Sequence, residues 1–128
     1  MTKATNEVDS YIMALPEIQQ EWMWFFVKYM REKHSNLEEV ISFQMPTYKL
    51  GSGKLRNYIA FSPAKNHFSM HTMDFEYIAM MKESLASPGK GKGCVNVKYT
   101  NTEERILLLQ AIEEIIKRKQ LKDYGKQA

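Results

Sequence analysis

The run Val40-Ile41-Ser42-Phe43-Gln44-Met45-Pro46-Thr47-Tyr48-Lys49-Leu50 separates an α+β chain from an all-helical one, because the apolar period leaves helical spacing here. Val40 to Phe43 and Tyr48 to Leu50 read as extended segments. Pro46 between them has no N–H to give a ladder, so it marks an edge position or a bulge. Gly51-Ser52-Gly53 turns the chain, and Leu55 to Phe61 follows as a strand rich in Tyr and Ile. Ser62-Pro63-Ala64-Lys65-Asn66 is the next loop and His67 to His71 the next strand. Together these segments predict an antiparallel meander.

Toward the N-terminus, Val8, Tyr11, Ile12 and Leu15 recur at helical spacing, and Pro16 suits the first turn of a second helix. From Glu17 to about Lys33, Ile18, Trp22, Phe25, Phe26 and Tyr29 fall on one face, which is predicted to be core. Trp24 points about 160° away from Trp22. Two readings stand: another element, such as the C-terminal helix, covers it together with Met23 and Val27, or it anchors a protein partner. Toward the C-terminus, Asp74 can cap a helix containing Tyr77, Ile78, Met81 and Leu85, which ends at Ser87-Pro88-Gly89. Val95, Val97 and Tyr99 then alternate with Cys94, Asn96 and Lys98, the pattern of a half-buried strand. Asn101 or Thr102 caps the last helix, Glu103 and Glu104 favour its positive end, and Ile106, Leu109, Ile112 and Ile116 form its apolar stripe. The fold class expected is α+β, one domain over residues 7–120, with an antiparallel sheet of about five strands and the terminal helices packed on one face. Residues 1–6 and 121–128 are expected to be flexible ends.

The totals bound the function classes. At 128 residues the chain can bury a core without staples, and the lone Cys94 allows no internal disulfide, which fits a reducing compartment. The polar start, Met1 to Asp9, lacks the regions of a signal peptide, and the longest apolar run, Trp22 to Val27, is far too short to span a membrane. A cytoplasmic location is expected. The 18 basic and 15 acidic residues are interleaved apart from Lys90 to Lys98 and Lys117 to Lys122, so the charge does not call for nucleic acid.

The chemistry-bearing residues are few. His67 and His71 share a face of a strand but stand about 13 Å apart, too far for one ion. His34 reads as a surface residue near a helix C-terminus. Cys94 has no CxxC partner and reads as a strand residue packed under a helix. Gly89-Lys90-Gly91-Lys92-Gly93 can wrap N–H groups around an anion, or serve as a plain loop feeding a strand; it lacks the spacing of a P-loop. The adjacent carboxylates Glu38-Glu39 and Glu113-Glu114 point apart, and each pair offers at most a loose surface site for a metal. Without a Ser-His-Asp arrangement, convergent carboxylates or a nucleotide fingerprint, an enzyme is not expected. Tyr48 and Lys49 are expected to meet Lys65 and His67 across a hairpin, making a site suited to a small anion. The alternative is that Met45 and Tyr48 are core, Pro46 shapes a bulge and Lys65-Asn66 is a turn.

Several phrases taken together, Val8-Asp9-Ser10-Tyr11-Ile12-Met13-Ala14-Leu15-Pro16-Glu17, Glu38-Glu39-Val40 through Leu50, Tyr58-Ile59-Ala60-Phe61, Lys65-Asn66-His67-Phe68-Ser69-Met70 and Gly91-Lys92-Gly93-Cys94-Val95, resemble the YdhG-like family of small bacterial proteins. That family is also called the domain of unknown function 1801. The agreement covers about Glu7 to Lys117. The resemblance implies an α+β domain similar to frataxin, with terminal helices on one face of an antiparallel sheet. Some members are described as frataxin-like iron chaperones, so it also implies iron as a ligand, for which Glu38 and Glu39 are the carboxylates at hand. The chain differs from frataxins in charge, since its first long helix ends with Lys28, Arg31 and Lys33.

Overall fold

Asn6 starts the first element by accepting a hydrogen bond from the Asp9 N–H at 2.8 Å, which satisfies one of the donors that a helix start leaves open. The structure, a computed structural model, describes residues 6–51 and 57–127, and side chains as far as residue 121. Helix α1 (Glu7–Met13) is followed by α2 (Glu17–Lys33), with Pro16 at the cap position just before the helix. Gln20 reaches back to the Leu15 carbonyl at 2.8 Å and so ties the two helices together. Then come β1 (Glu38–Ser42), β2 (Met45–Leu50), β3 (Asn57–Pro63), β4 (His67–Thr72), α3 (Phe75–Lys82), β5 (Cys94–Lys98) and α4 (Thr102–Gln127). The strands form one antiparallel sheet in the order β1-β2-β3-β4-β5, the expected meander with a fifth strand added after α3. Ser52, Gly53 and Leu55, which the sequence assigned to a turn and a strand start, lie outside the described residues. Helix α4 continues past Gln120, where the sequence reading ended the domain.

Phe43 and Gln44 make the β1–β2 turn rather than extending the strand, and both have positive φ, 52° and 63°. A two-residue hairpin needs this conformation because it matches the twist of the flanking strands. Ser42 pairs with Met45 across the turn, so Pro46 directs its missing donor toward β3. Pairing with β3 begins only at Thr47 opposite Ala60. Pro46 therefore costs no ladder bond.

The register sorts the strand residues into two faces. Tyr48, Leu50, Ile59, Phe61, Phe68, Met70, Val95 and Val97 share one face and enter the hydrophobic core. Every helix contributes to that same cluster, through Val8 and Ile12, Trp22 and Phe26, Ile78 and Met81, and Leu108 and Ile112. All four helices thus lie on one side of the sheet. Phe26 is the centre of the packing, stacked on Phe68 with ring centroids 4.7 Å apart and tilted against Phe61 at 5.3 Å. None of the described helices is long and apolar enough to cross a membrane.

Two helix faces are rotated from expectation. On α2 the buried residues are Trp22, Met23, Phe26, Val27 and Met30, while Ile18 is exposed and Phe25 and Tyr29 are half-buried. Arg105 explains the half-burial of Phe25, since its guanidinium lies 4.1 Å from that ring and 4.8 Å from Trp22. On α4, Leu108, Ala111, Ile112, Ile115 and Ile116 are buried, Ile106 is exposed and Leu109 half-buried. Packing against both α2 and α3 widens the buried arc beyond a single stripe. Arg118 fastens α4 to α3 through Asp74 at 2.7 Å.

Candidate functional site

Glu39 and Tyr48 are cross-strand partners on the helix-covered face. The Tyr48 hydroxyl is buried and donates to Glu39 Oε2 at 2.6 Å. Burial, and then the Glu39 carboxylate, hold the phenol well above its ordinary pKa. Arg31 donates to both Glu39 oxygens at 2.9 Å and to Asp9 at 2.6 Å. This node joins α1, α2, β1 and β2, and its polar atoms satisfy one another. Glu38, one residue away, projects from the opposite face and pairs with Lys49 at 3.4 Å. The two carboxylates thus point apart, as adjacent strand residues do, and do not converge on one ion.

The expected meeting of Tyr48, Lys49, Lys65 and His67 does not form. Tyr48 lies on the helix side and Lys49 on the other side. Lys65 is exposed in the β3–β4 turn, and His67 is half-buried at the start of β4, opposite Lys98. Lys49 and His67 share a face but stand at opposite ends of it, about 20 Å apart along the strands at ~3.3 Å per residue. Hairpin connectivity brings neighbouring strands together but reverses their direction, and that reversal separates the two segments. Trp24 is half-buried at the edge of the core, with Lys28 and Arg31 over its ring at 5.7 and 5.8 Å. His34 caps the end of α2 and pairs with Glu113 at 2.7 Å. Glu113 also accepts from Tyr29, whose hydroxyl is pushed up to about 12 by burial and that carboxylate.

Among the described residues the sheet's other face carries no helix, and its strand residues are mixed, with Thr47, Ser62, Ser69, His71 and Asn96 beside Val40, Met45, Tyr58, Ala60 and Cys94. Its floor is made of small residues, Thr47, Ala60 and Ser69, sunk between longer neighbours and each at most 6 % exposed. Ser62 Oγ and His71 Nε2 lie 2.9 Å apart, and Ser69 Oγ donates to Asn96 Oδ1 at 2.7 Å. Burial lowers the pKa of His71 and so favours the neutral ring, which shares a hydrogen bond with Ser62. Among the described strand residues this face shows Lys49, Lys98, His67 and His71 against a single carboxylate, Glu38.

The loop after α3 closes one side of this surface. The Asn96 N–H donates to the Pro88 carbonyl at 3.0 Å, so the loop is pinned along β5. Gly89 sits on the Asn96 amide and Gly91 on Cys94, close enough that neither has room for a side chain. Cys94 is therefore packed beneath this loop, opposite His71, and not beneath a helix as expected. Among the described residues no three His, Cys, Asp or Glu side chains converge.

The sequence reading missed Ser62, Ser69, His71 and Asn96 as a group. The signal was present in β4, where His67, Ser69 and His71 take every second position, and again in β5 with Cys94, Asn96 and Lys98. Two polar alternations in adjacent strands mark a sheet face that no helix covers.

The overall arrangement is similar to that of a protein of the DUF1801 family, YdhG from Bacillus subtilis, known from its crystal structure. The two superimpose with a TM-score of 0.56 at 15 % sequence identity, over 83 % of this chain and 89 % of that one. No family model matches the sequence, and no curated protein does. The fold is thus that of a DUF1801 protein, an α+β domain with a five-stranded antiparallel sheet.

Proposed function

We propose that this chain, built on the DUF1801 fold, is a non-catalytic binding module that takes a small anion on the helix-free face of its sheet. The observation that carries this reading is the hydrogen-bonded group of half-buried Ser62, His71 and Asn96 with buried Ser69, bordered among the described strand residues by Lys49 and Lys98 against Glu38 alone. The groups of this floor satisfy one another when no ligand is present, and an anion would recruit the single hydroxyl protons of Ser62 and Ser69 by exchange for these internal bonds. The reading is non-catalytic because Ser62 and His71 have no carboxylate partner among the described residues to orient the ring, as a nucleophile–base pair requires.

Iron handling, which the family resemblance implies, would draw on oxygen ligands at Glu38 and Glu39. These project from opposite faces and are held by Lys49 and by Arg31 with Tyr48, an arrangement that favours the anion reading. Amide-resolved NMR on the full chain tests the two together. Titration with small phosphates and carboxylates should shift Ser62, Ser69, His71 and Asn96 saturably, and Ser69→Val should weaken the response. Saturable ferrous iron binding under anaerobic conditions, lost in Glu38→Gln/Glu39→Gln, with no anion response on this face, would replace the anion reading by the iron one.

A further inference from the structure

We propose that Gly89-Lys90-Gly91-Lys92-Gly93 is a phosphate grip at the edge of this face, so that the ligand class is a phosphomonoester. The inference rests on the reading of the helix-free face as the binding surface and adds the chemistry of one end of it.

The loop is held down rather than free to swing. A Cβ on Gly91 would come 2.6 Å from Cys94 Sγ, and one on Gly89 would run into the Asn96 amide. Gly89 also has φ +82°, a conformation that only glycine adopts without cost. Both glycines therefore bring the backbone into contact with the polar sheet surface, and Asn96, which supports Gly89, is the residue that accepts from Ser69.

The carbonyls of Gly89 and Gly91 face Lys82. Lys82 Nζ, at the end of α3, donates to the Gly89 carbonyl at 3.2 Å and also to the Gly91 carbonyl. In a planar trans peptide the N–H points opposite to the C=O of the same unit. The N–H groups of Lys90 and Lys92 are accordingly directed away from Lys82, and neither has a hydrogen-bond partner among the described residues. The side chains of Lys90, Lys92 and Lys98 form no ion pair there either. Two unused N–H donors and three unpaired ammonium groups thus lie along β5. A phosphate monoester, with close to two negative charges and three acceptor oxygens, matches this set better than a carboxylate with one charge and two oxygens.

The full chain is titrated with phenyl phosphate and with benzoate, followed by the amide signals. Phenyl phosphate should shift Lys90 and Lys92 together with Ser69 and Asn96, and benzoate should bind about tenfold more weakly. Lys90→Ala/Lys92→Ala should lower phosphate affinity by about tenfold or more with an unchanged unfolding midpoint. Gly91→Ala should cause a similar loss without changing charge, and Cys94→Ala added to it should restore binding by making room for the new methyl. Equal binding of both probes with silent loop amides would overturn the phosphate grip and leave the anion-binding face standing. Unchanged affinity in Gly91→Ala would reduce the loop to diffuse charge and also overturn the grip. Absence of any saturable shift on the sheet face would remove both readings.

Discussion

Phe61 and Ser62 are chain neighbours in β3 and meet opposite surroundings. Phe61 is fully buried among Phe26, Phe68 and Tyr48, whereas Ser62 looks onto a face without helices and bonds to His71. Strand alternation makes the two environments independent, since adjacent side chains never share a face. One face can then be filled with aromatic rings that fix the fold, while the other is kept polar and small. The cost of losing a side chain should differ accordingly. Phe26→Ala removes a ring packed against Trp22, Phe61 and Phe68 and should destabilise by about 3–5 kcal/mol. Ser62→Ala should cost less than about 1.5 kcal/mol, the range of a single hydrogen bond. Urea unfolding of the two variants measures both, and equal losses would mean that the helix-free face is also a load on the fold.

The second contrast sets two neighbouring carboxylates against each other. Glu39→Ala leaves the buried Tyr48 hydroxyl without its acceptor and takes from Arg31 its two-pronged partner, so about 1–3 kcal/mol should be lost. Adding Tyr48→Phe removes the orphaned hydroxyl, and the two changes together should cost less than their sum. Glu38→Ala breaks only a solvent-facing pair with Lys49 and should change stability by less than about 1 kcal/mol. If Glu38→Ala were the costlier of the two, the assignment of the two faces would be reversed.

These contrasts also show what the sequence could and could not carry. The meander was legible because Val40 to Ser42, Tyr58 to Phe61 and Val95 to Val97 have the composition and period of strands, and because Asp74 and Asn101 are recognisable helix caps. The faces of α2 and α4 were legible only approximately. Met23, Val27 and Met30 are buried in the shared core, and which elements cover that side of α2 lies outside the helix's own sequence. Tyr48, Lys49, Lys65 and His67 fail to converge for a different reason. Tyr48 and Lys49 belong to opposite faces, and Lys49 and His67 to opposite ends of one face, and both facts follow from register. The sequence specified which strands pair more firmly than it specified where each strand begins. The polar alternation of β4 and β5 was visible locally, but the meeting of Ser69 with Asn96 and of Asn96 with Gly89 depends on the return of the chain from α3 to β5.

The β1–β2 turn offers a smaller test at the rim shared by both faces. Phe43 and Gln44 hold positive φ although neither is glycine or asparagine, and Phe43 is 82 % exposed. A bulky residue in that region is strained, and its ring gains little burial in return. Phe43→Asn with Gln44→Gly should therefore stabilise the fold by about 1 kcal/mol, read as a higher unfolding midpoint. A loss of stability would show that the Phe43 ring packs on the hairpin in solution.

The finest distinction concerns His71, the one group of the helix-free face among the described residues whose titration is displaced by burial. Its pKa is lowered, so the unfolded chain takes up a proton at a higher pH than the folded chain does. Stability is then fully present above the unfolded value near 6.5 and is lost as pH falls from there through the folded value. Glu113 acts with the same sign, because its pKa is also lowered, by Tyr29 and His34 against its own desolvation, but its window lies below the ordinary carboxylate value of 4.5. A scan between about pH 7.5 and 5 separates the two groups. Over that range the unfolding midpoint should fall, and His71→Asn should reduce the fall, because an amide keeps a partner for Ser62 without titrating. An unchanged slope in the variant would place His71 in contact with solvent and leave Ser62 without a preorganised partner on the polar face.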